Sequence, residues 1–538
     1  MLITEQHTKV LIVGAGPSGL MMAAQLIRHG VQPIIIDIKQ GPTNQSKALA
    51  VQARSLEIYR QLGIVERALQ GGKQAHGLVL NQDGKEVASL AITDVGTQQT
   101  PYPFVHLYQQ SKNERLLLDL LTQNCCPVYW DTTVVSLKQN ARQVEVQLQS
   151  DQEITTLTCD YVVGADGAHS TVRKQLNIPF TGDTYANEFF LADLELNNAE
   201  VKDTQLQIFW GKAGMSAFFP LPETNSYRVI GSLSLASQAK ADLQLDEVLP
   251  HIAAITGIAL NVVQQNWFTT YKLHHRMADN FRKQRCFLIG DAAHIHSPVG
   301  GQGMNTGLQD AYNLGWKLAG VVTHQLKETI LDSYATERMP VAKELLDTTD
   351  RAFKIIVSRS WFWLAVKKWI MPTGVRFFWK SESLRSVFFK RLSQIGISYR
   401  DSNISLHLSN SKGIKAGDRL PYLKVFDEKK QLETDLHEWC AKPGFTLIVL
   451  GKLQEIDLFT VAKWITQNYT PALNFFYLPP SKKNREVFEV FEVTENKKKA
   501  LIIRPDMHIG LINDVVDIEM MENYLTTIVG LNKTVPAL

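Results

Sequence analysis

The residue types best suited to chemistry gather in three glycine-and-carboxylate turns between positions 14 and 305. The first, Gly14-Ala15-Gly16-Pro17-Ser18-Gly19, directly follows the apolar run Lys9 to Val13. A helix-like stretch from Leu20 to about His29 and a second run, Pro33 to Ile36, then lead to Asp37. Glycines at this spacing let a backbone approach a pyrophosphate, and an acid ending the next strand accepts a hydrogen bond from a ribose hydroxyl. The second turn, Ala165-Asp166-Gly167-Ala168-His169-Ser170, leads the run Tyr161 to Gly164 into a short helix carrying Arg173. The third puts Gly290-Asp291 at the end of a strand over Cys286 to Ile289, and a glycine-rich loop then passes through Gly301, Gly303, Met304 and Asn305 into a helix. A carboxylate beside a helix N-terminus suits a ligand that bears hydroxyls and develops negative charge.

The elements around these turns read as alternating strand and helix. Lys47 to Gly63 has the pattern of an amphipathic helix, with Lys47 and Arg54 on a solvated face. Gln110 to Leu121 is another helix, whose Gln110 and Glu114 share a face as a surface hydrogen bond. Val144 to Leu148 and Thr155 to Cys159 alternate as a hairpin does. From Phe180 to about Tyr271 the pattern changes to that of an antiparallel sheet, with strands at Leu206 to Trp210, Ser216 to Phe219 and Tyr227 to Leu235. Most of its aromatics belong to a core, and some among Phe218, Phe219 and Trp210 are candidates to face a substrate. Tyr271, His274, His275 and Arg276 are candidates for pocket or nicotinamide contacts. A long helix is expected over Leu331 to Asp350, and Arg351 to Arg400 interleaves basic residues with Trp361, Trp363, Trp369 and Trp379. That segment reads as helices packed by their aromatic faces, with a peripheral membrane or partner surface as the alternative. After Gly413, strands at Phe445 to Leu450, Leu473 to Leu478 and Ala500 to Ile503, with a helix at Phe459 to Asn468, indicate a small α/β domain without a C-x-x-C pair.

Composition narrows the function classes. With 538 residues, 45% hydrophobic and 20% charged, the chain reads as a multidomain globular protein, and a net charge of +3 gives no general affinity for nucleic acid. Five cysteines form neither a disulfide framework nor a metal-ligand spacing, so no metal is expected and the chain reads as cytoplasmic. No signal peptide or transmembrane segment is expected: the most lipophilic window, Ala352 to Met371, is interrupted by Lys354, Arg359, Lys367 and Lys368.

The three turns, in this order, resemble those of the single-component FAD-dependent aromatic hydroxylases, and most of all the phenol 2-monooxygenase and dichlorophenol hydroxylase branch. The resemblance implies a Rossmann-like FAD-binding domain in two parts (1–180 and 272–350) around an inserted antiparallel-sheet substrate domain (181–271). A helical connector (351–412) and a thioredoxin-like C-terminal domain (413–538) would follow, with a tendency toward homodimers. It implies that Gly14, Ala15, Gly16, Pro17, Ser18 and Gly19 lie on the FAD pyrophosphate, Asp37 on the adenosine ribose, Gln110 near the ribityl chain and Asp291 on a ribityl hydroxyl. Asp166 would belong to a segment shared by FAD and NAD(P)H, and the Gly301, Gly303, Met304 and Asn305 backbone would lie beside the flavin pyrimidine. Lys47 stands where the family usually has Arg, keeping the charge without the planar fork. The implied activity is hydroxylation of an aromatic or phenolic substrate with NAD(P)H and O2 through a flavin hydroperoxide. Alternatives are a monooxygenase of an antibiotic, polyketide or quinone precursor, and a non-catalytic FAD-binding interaction protein; the catalytic residues are not assigned.

Overall fold

Val10 to Val13 and Ile34 to Ile36 are apolar, β-branched except at Leu11, and almost free of exposed surface, as strands covered on both faces must be. In the computed structural model they occupy the centre of an eight-stranded sheet. The structure describes residues 3–534 other than 45–46, 92–94, 152, 199, 234–241, 298–299, 358–365, 367–373, 375–376, 378, 429 and 495.

The main path of that sheet runs Arg282–Lys283, Cys286–Leu288, Glu153–Gly164, His7–Val13, Ile34–Ile36, Val128–Tyr129. From Cys286–Leu288 onward its strands are parallel, and their register sets Val13 beside both Gly164 and Ile36, and Gly164 beside Leu288. The three chemical turns therefore leave one edge of one sheet, at the carboxyl ends of its strands, where open α/β sheets bind ligands. The expected hairpin is present, with Leu148 opposite Thr155, and its second strand continues without a break to Gly164.

A second sheet of eight strands is antiparallel except where Gly77–Gln82 runs parallel to Gln205–Trp210. It differs from the expected 181–271 unit by recruiting Gly77–Gln82 and Lys85–Ala91 from before it and His294–Ile295 from after it. Hydrogen bonding of distant strands, which local pattern does not encode, accounts for the difference. One face packs on the helix Leu245–Thr256, placing Phe218 in a core with Phe190, Val229, Val248 and Ile252. Trp210 packs on Leu80 and Leu90, and half-buried Phe219 lies against Leu49.

The expected helix over Lys47 to Gly63 is shorter. Ala50–Val51 pairs as a strand with Val105–Leu107, and the helix runs only over Ala53–Gln61. Beyond the long helix Asp332–Val357, Trp361, Trp363 and Trp369 lie outside the described residues, whereas Trp379 packs near the Lys85–Ala91 strand. Residues 406–513 build a mixed five-stranded sheet, ordered Leu406–Leu408, Ile509–Asn513, Lys498–Ile503, Phe445–Gly451, Leu473–Leu478. Among the described residues no helix is long and apolar enough to cross a membrane, and no group of three or more His, Cys, Asp or Glu side chains could hold a metal ion.

Candidate cofactor site

Gly14 leaves its strand at φ 106°, and a Cβ there would collide with the carbonyl oxygen of Ala165. Gly19 is forced in the same way by the Gly14 carbonyl, whereas Gly16 faces open space. Two glycines thus permit the tight packing of the first turn against the second, and the remaining one keeps a concave surface clear. The helix Pro17–Arg28 starts there with no side-chain cap, and its first intrahelical bond is Leu20 N–H to the Gly16 carbonyl, at 3.0 Å. The preceding N–H groups of Ser18 and Gly19 point outward, which is the arrangement that receives a phosphate. Asp37 accepts from the N–H of Ala15 at 2.6 Å and of Lys39 at 2.8 Å, so the acid also holds the first turn in place.

Asp166 is engaged within its own turn. Its carboxylate accepts from Ser170 Oγ at 2.5 Å and from the N–H groups of Thr171 and Val172 at 2.6 and 3.1 Å, which caps the helix Thr171–Gln175. Burial pushes this carboxyl up despite those bonds. What the second turn offers a ligand is backbone, with Gly167 at φ 74° and open space before it. Arg173, from the helix so capped, donates to the carbonyls of Ala292 at 2.8 Å and Ala168 at 2.9 Å and lies 3.8 Å over the Phe180 ring. It ties the second turn to the third.

Beneath the third turn, fully buried Asp310 accepts from Gly290 N–H at 3.0 Å, pairs with His294 Nε2 at 2.7 Å, and accepts from Arg338 Nε at 2.7 Å. Burial pushes the Asp310 carboxyl up, and Arg338 and His294 overcome this to hold it below its ordinary value. Asp291 is left exposed toward the opening and has no hydrogen bond or ion pair among the described residues. Protein surrounds it closely enough to push its carboxyl up, against the pull of His294 and of Lys47. Sequence reasoning missed Arg173, Asp310 and Arg338; a lone carboxylate in the apolar run Leu308 to Leu318 was the available signal.

The helix Gly303–Val322 follows, after Gly300 and Gly301 at φ 83° and 62°. Its first intrahelical bond is Thr306 N–H to the Gln302 carbonyl, at 2.9 Å, leaving the N–H groups of Gly303, Met304 and Asn305 at the open end. The Asn305 side chain accepts from Gln52 N–H and Ser55 Oγ, both at 2.8 Å, and donates to the carbonyls of Ala50 and Gly301, both at 2.9 Å. It fastens the segment leading from Lys47 to the helix terminus. Gln110 supports the same segment, accepting from Ala48 N–H at 3.3 Å and donating to Glu114 at 3.0 Å. Glu114 is buried, so the expected surface pair is an internal brace. Arg54 is also buried rather than solvated, because its guanidinium binds Glu57 at 2.9 Å and the Asp506 carbonyl at 2.8 Å.

An open glycine cradle, two uncapped helix termini, a ribose-type acid and an unpartnered carboxylate at one sheet edge fit a dinucleotide whose far end bears hydroxyls and an anion-stabilised ring. The FAD binding domain family model matches residues 7–349. The chain belongs to this family. It is an FAD flavoprotein of the monooxygenase class. The flavoprotein is 32% identical over 406 residues to 6-methylpretetramide 4-monooxygenase of Streptomyces rimosus, a match covering 75% of this chain and 70% of that one. It is also 32% identical over 415 residues to pentachlorophenol 4-monooxygenase of Sphingobium chlorophenolicum, covering 77% and 75%. Its fold is that of aklavinone-11 hydroxylase in a ternary complex with FAD and aklavinone, with a TM-score of 0.79, 19% identity and coverage of 98% and 100%.

Proposed function

We propose that this flavoprotein hydroxylates an aromatic substrate with NAD(P)H and O2. The observation that supports this reading best is the convergence of the three turns around Asp291, a carboxylate with no protein partner among the described residues. FAD supplies, when bound, the hydride acceptance and oxygen transfer that protein side chains cannot perform. Gly14, Gly16 and Gly19 with the N–H groups of Ser18 and Gly19 would hold its pyrophosphate, Asp37 its ribose and Asp291 its ribityl chain. The N–H groups at Gly303, Met304 and Asn305 would favour negative charge at the pyrimidine end. The second sheet would cover the site and keep water out.

A basic cluster beside the second turn suits the phosphates of NAD(P)H. His274 Nδ1 lies 2.8 Å and Arg276 Nη2 3.2 Å from Thr184 Oγ1, and the buried Arg276 Nε has no partner among the described residues. Burial and the nearby charges of Arg276 and His169 push His274 below its ordinary value. The mixed sheet of residues 406–513 supports a thioredoxin-like reading of the C-terminal unit. The relatives act, by name, on 6-methylpretetramide and on pentachlorophenol, so phenols and larger aromatics both belong in the test.

That test is anaerobic mixing of the FAD-loaded protein with NADPH or NADH, following flavin bleaching with and without phenols and polycyclic aromatics. One compound class should accelerate bleaching, and admitting air should restore the colour and yield a hydroxylated product. Flavin that neither nicotinamide bleaches under any ligand would instead favour the non-catalytic binding protein.

A further inference from the structure

The segment from Arg351 to Arg400 carries eleven Lys and Arg residues against one acid, Glu382, which is more positive charge than the chain's whole net of +3. Positive charge is therefore gathered here and offset elsewhere in the chain. The helix Glu382–Leu392 lies within this segment. Residues three and four apart on a helix share a side, so Leu384, Val387, Phe388 and Arg391 line one stripe. That stripe looks outward: Leu384, Val387 and Phe388 leave 39, 54 and 40% of their surface exposed, and Arg391 is exposed beside them.

The inner side of the helix is anchored, which holds the stripe in place. Phe389 is buried against Gly96, where any Cβ would strike its ring. Gln99 Nε2 donates to Ser386 Oγ at 2.7 Å, Gln302 Nε2 to the Arg391 carbonyl at 3.0 Å, and Arg54 N–H to the Ser393 carbonyl at 3.2 Å. Trp379 stands edge-on to Phe388, with 5.9 Å between ring centroids, at the end where Lys380 is exposed. Among the described residues Lys380, Lys390 and Arg391 enter no ion pair. Glu86, which lines a cavity with Trp379 and Lys380, is taken by Lys202 at 3.2 Å.

We propose that this face docks on an anionic phospholipid bilayer, with Leu384, Val387 and Phe388 entering the acyl boundary and Lys380, Lys390 and Arg391 meeting lipid phosphates. An apolar stripe between cations matches a bilayer surface, which offers an apolar interior beneath a layer of negative charge. A second copy of the chain would instead set this positive face against itself, and like charges repel. Gln302, held by the Arg391 carbonyl, leads into the helix Gly303–Val322, so the docked face backs onto the third turn. Docking thus brings the cofactor site near aromatic compounds dissolved in the membrane, a consequence that rests on the monooxygenase reading.

The experiment floats the FAD-loaded full chain with phosphatidylcholine vesicles, with and without phosphatidylglycerol, and measures the protein carried in the lipid fraction. Vesicles containing phosphatidylglycerol should carry at least about tenfold more protein than neutral ones, and added salt should reverse the uptake. Leu384→Ser with Val387→Ser, and separately Lys390→Gln with Arg391→Gln, should each lower uptake about tenfold. Lys482→Gln with Lys483→Gln, a basic pair of the C-terminal unit, should leave it unchanged. All six side chains are exposed, and retained circular dichroism identifies the folded variants. If one outer-face variant does not fold, the other and the salt dependence decide the matter. Uptake that neutral vesicles match, that salt leaves unchanged or that the outer-face variants retain overturns the proposal, as does an equal loss in the Lys482 and Lys483 variant. So does a wild type that binds no vesicle, including one whose free dimer is split by Leu384→Ser with Val387→Ser, the sign of an interface between copies. Because protein is counted without turnover, failure of the monooxygenase reading would show separately, as flavin that no nicotinamide reduces.

Discussion

Asp166 and Asp291 stand in closely similar Gly-Asp turns and do different work. Asp166 is satisfied by Ser170 and two helix N–H groups, whereas Asp291 faces the opening without a partner among the described residues. Their distinction was not legible in the sequence, because it depends on which way each turn presents its carboxylate. Asp291→Ala should weaken FAD binding roughly 10–100-fold, the loss of one hydrogen bond to a charged group, measured by flavin release on dilution. Retention of wild-type FAD affinity would remove Asp291 from the cofactor site. Arg173 shows the converse case: it looks like a surface residue of a short helix, yet it joins two turns through the carbonyls of Ala292 and Ala168.

At the scale of elements, the helices Pro17–Arg28 and Gly303–Val322 bring their N-termini to the same edge because small residues let them touch. Ser18 lies against Gly290 and Gly307, and a Cβ on Gly307 would collide with Ser18 Oγ and lie 3.0 Å from the Gly290 Cα. Gly307→Ala should force the helices and the third turn apart and yield protein that loses FAD on gel filtration while keeping its far-UV circular dichroism. Unchanged flavin content would show that the site tolerates the shift. Most of this element layer was legible, since glycine spacing and apolar runs report close approach and burial directly. The segment from Lys47 to Gly63 was not, because pairing of Val51 with His106 overrides its helical pattern.

For the whole molecule, the C-terminal unit is joined to the flavin-binding unit through buried charges. Glu337 accepts from Arg504 at 2.7 and 2.9 Å and from Lys317 at 2.7 Å, and Asp506 accepts from Arg504 and from Trp316 Nε1. Arg419 reaches Glu57 at 3.2 Å, and His437 is buried beside them. Removing one member of such a network strands its partner, at a cost of about 3–5 kcal/mol. The protein should therefore melt in one transition at pH 7, with circular dichroism and flavin fluorescence coinciding; a separate transition for the C-terminal unit would contradict this. Burial holds His437 down to about 4, against 6.5 ordinarily. The unfolded chain takes up that proton first, so the contribution of neutral His437 is intact above pH 6.5 and is lost as the pH falls toward 4. The melting temperature should fall across that window, and His437→Gln should flatten the fall.

The sequence alone pointed to a nucleotide cofactor and to the three turns proposed to hold it, because glycine positions and strand-end acids are local requirements of backbone geometry. Three of the five strands of the C-terminal sheet and its helix Glu455–Asn468 were legible as well, whereas the edge strand Leu406–Leu408 and the strand Ile509–Asn513 were not. Only the tertiary structure decided that 77–91 joins the second sheet, that Arg54 and Glu114 are interior, and that Asp310, Arg173 and Arg338 brace the site. Those outcomes rest on contacts between residues tens to hundreds of positions apart, and the energy of burying a charge depends on the partner that arrives from elsewhere in the chain.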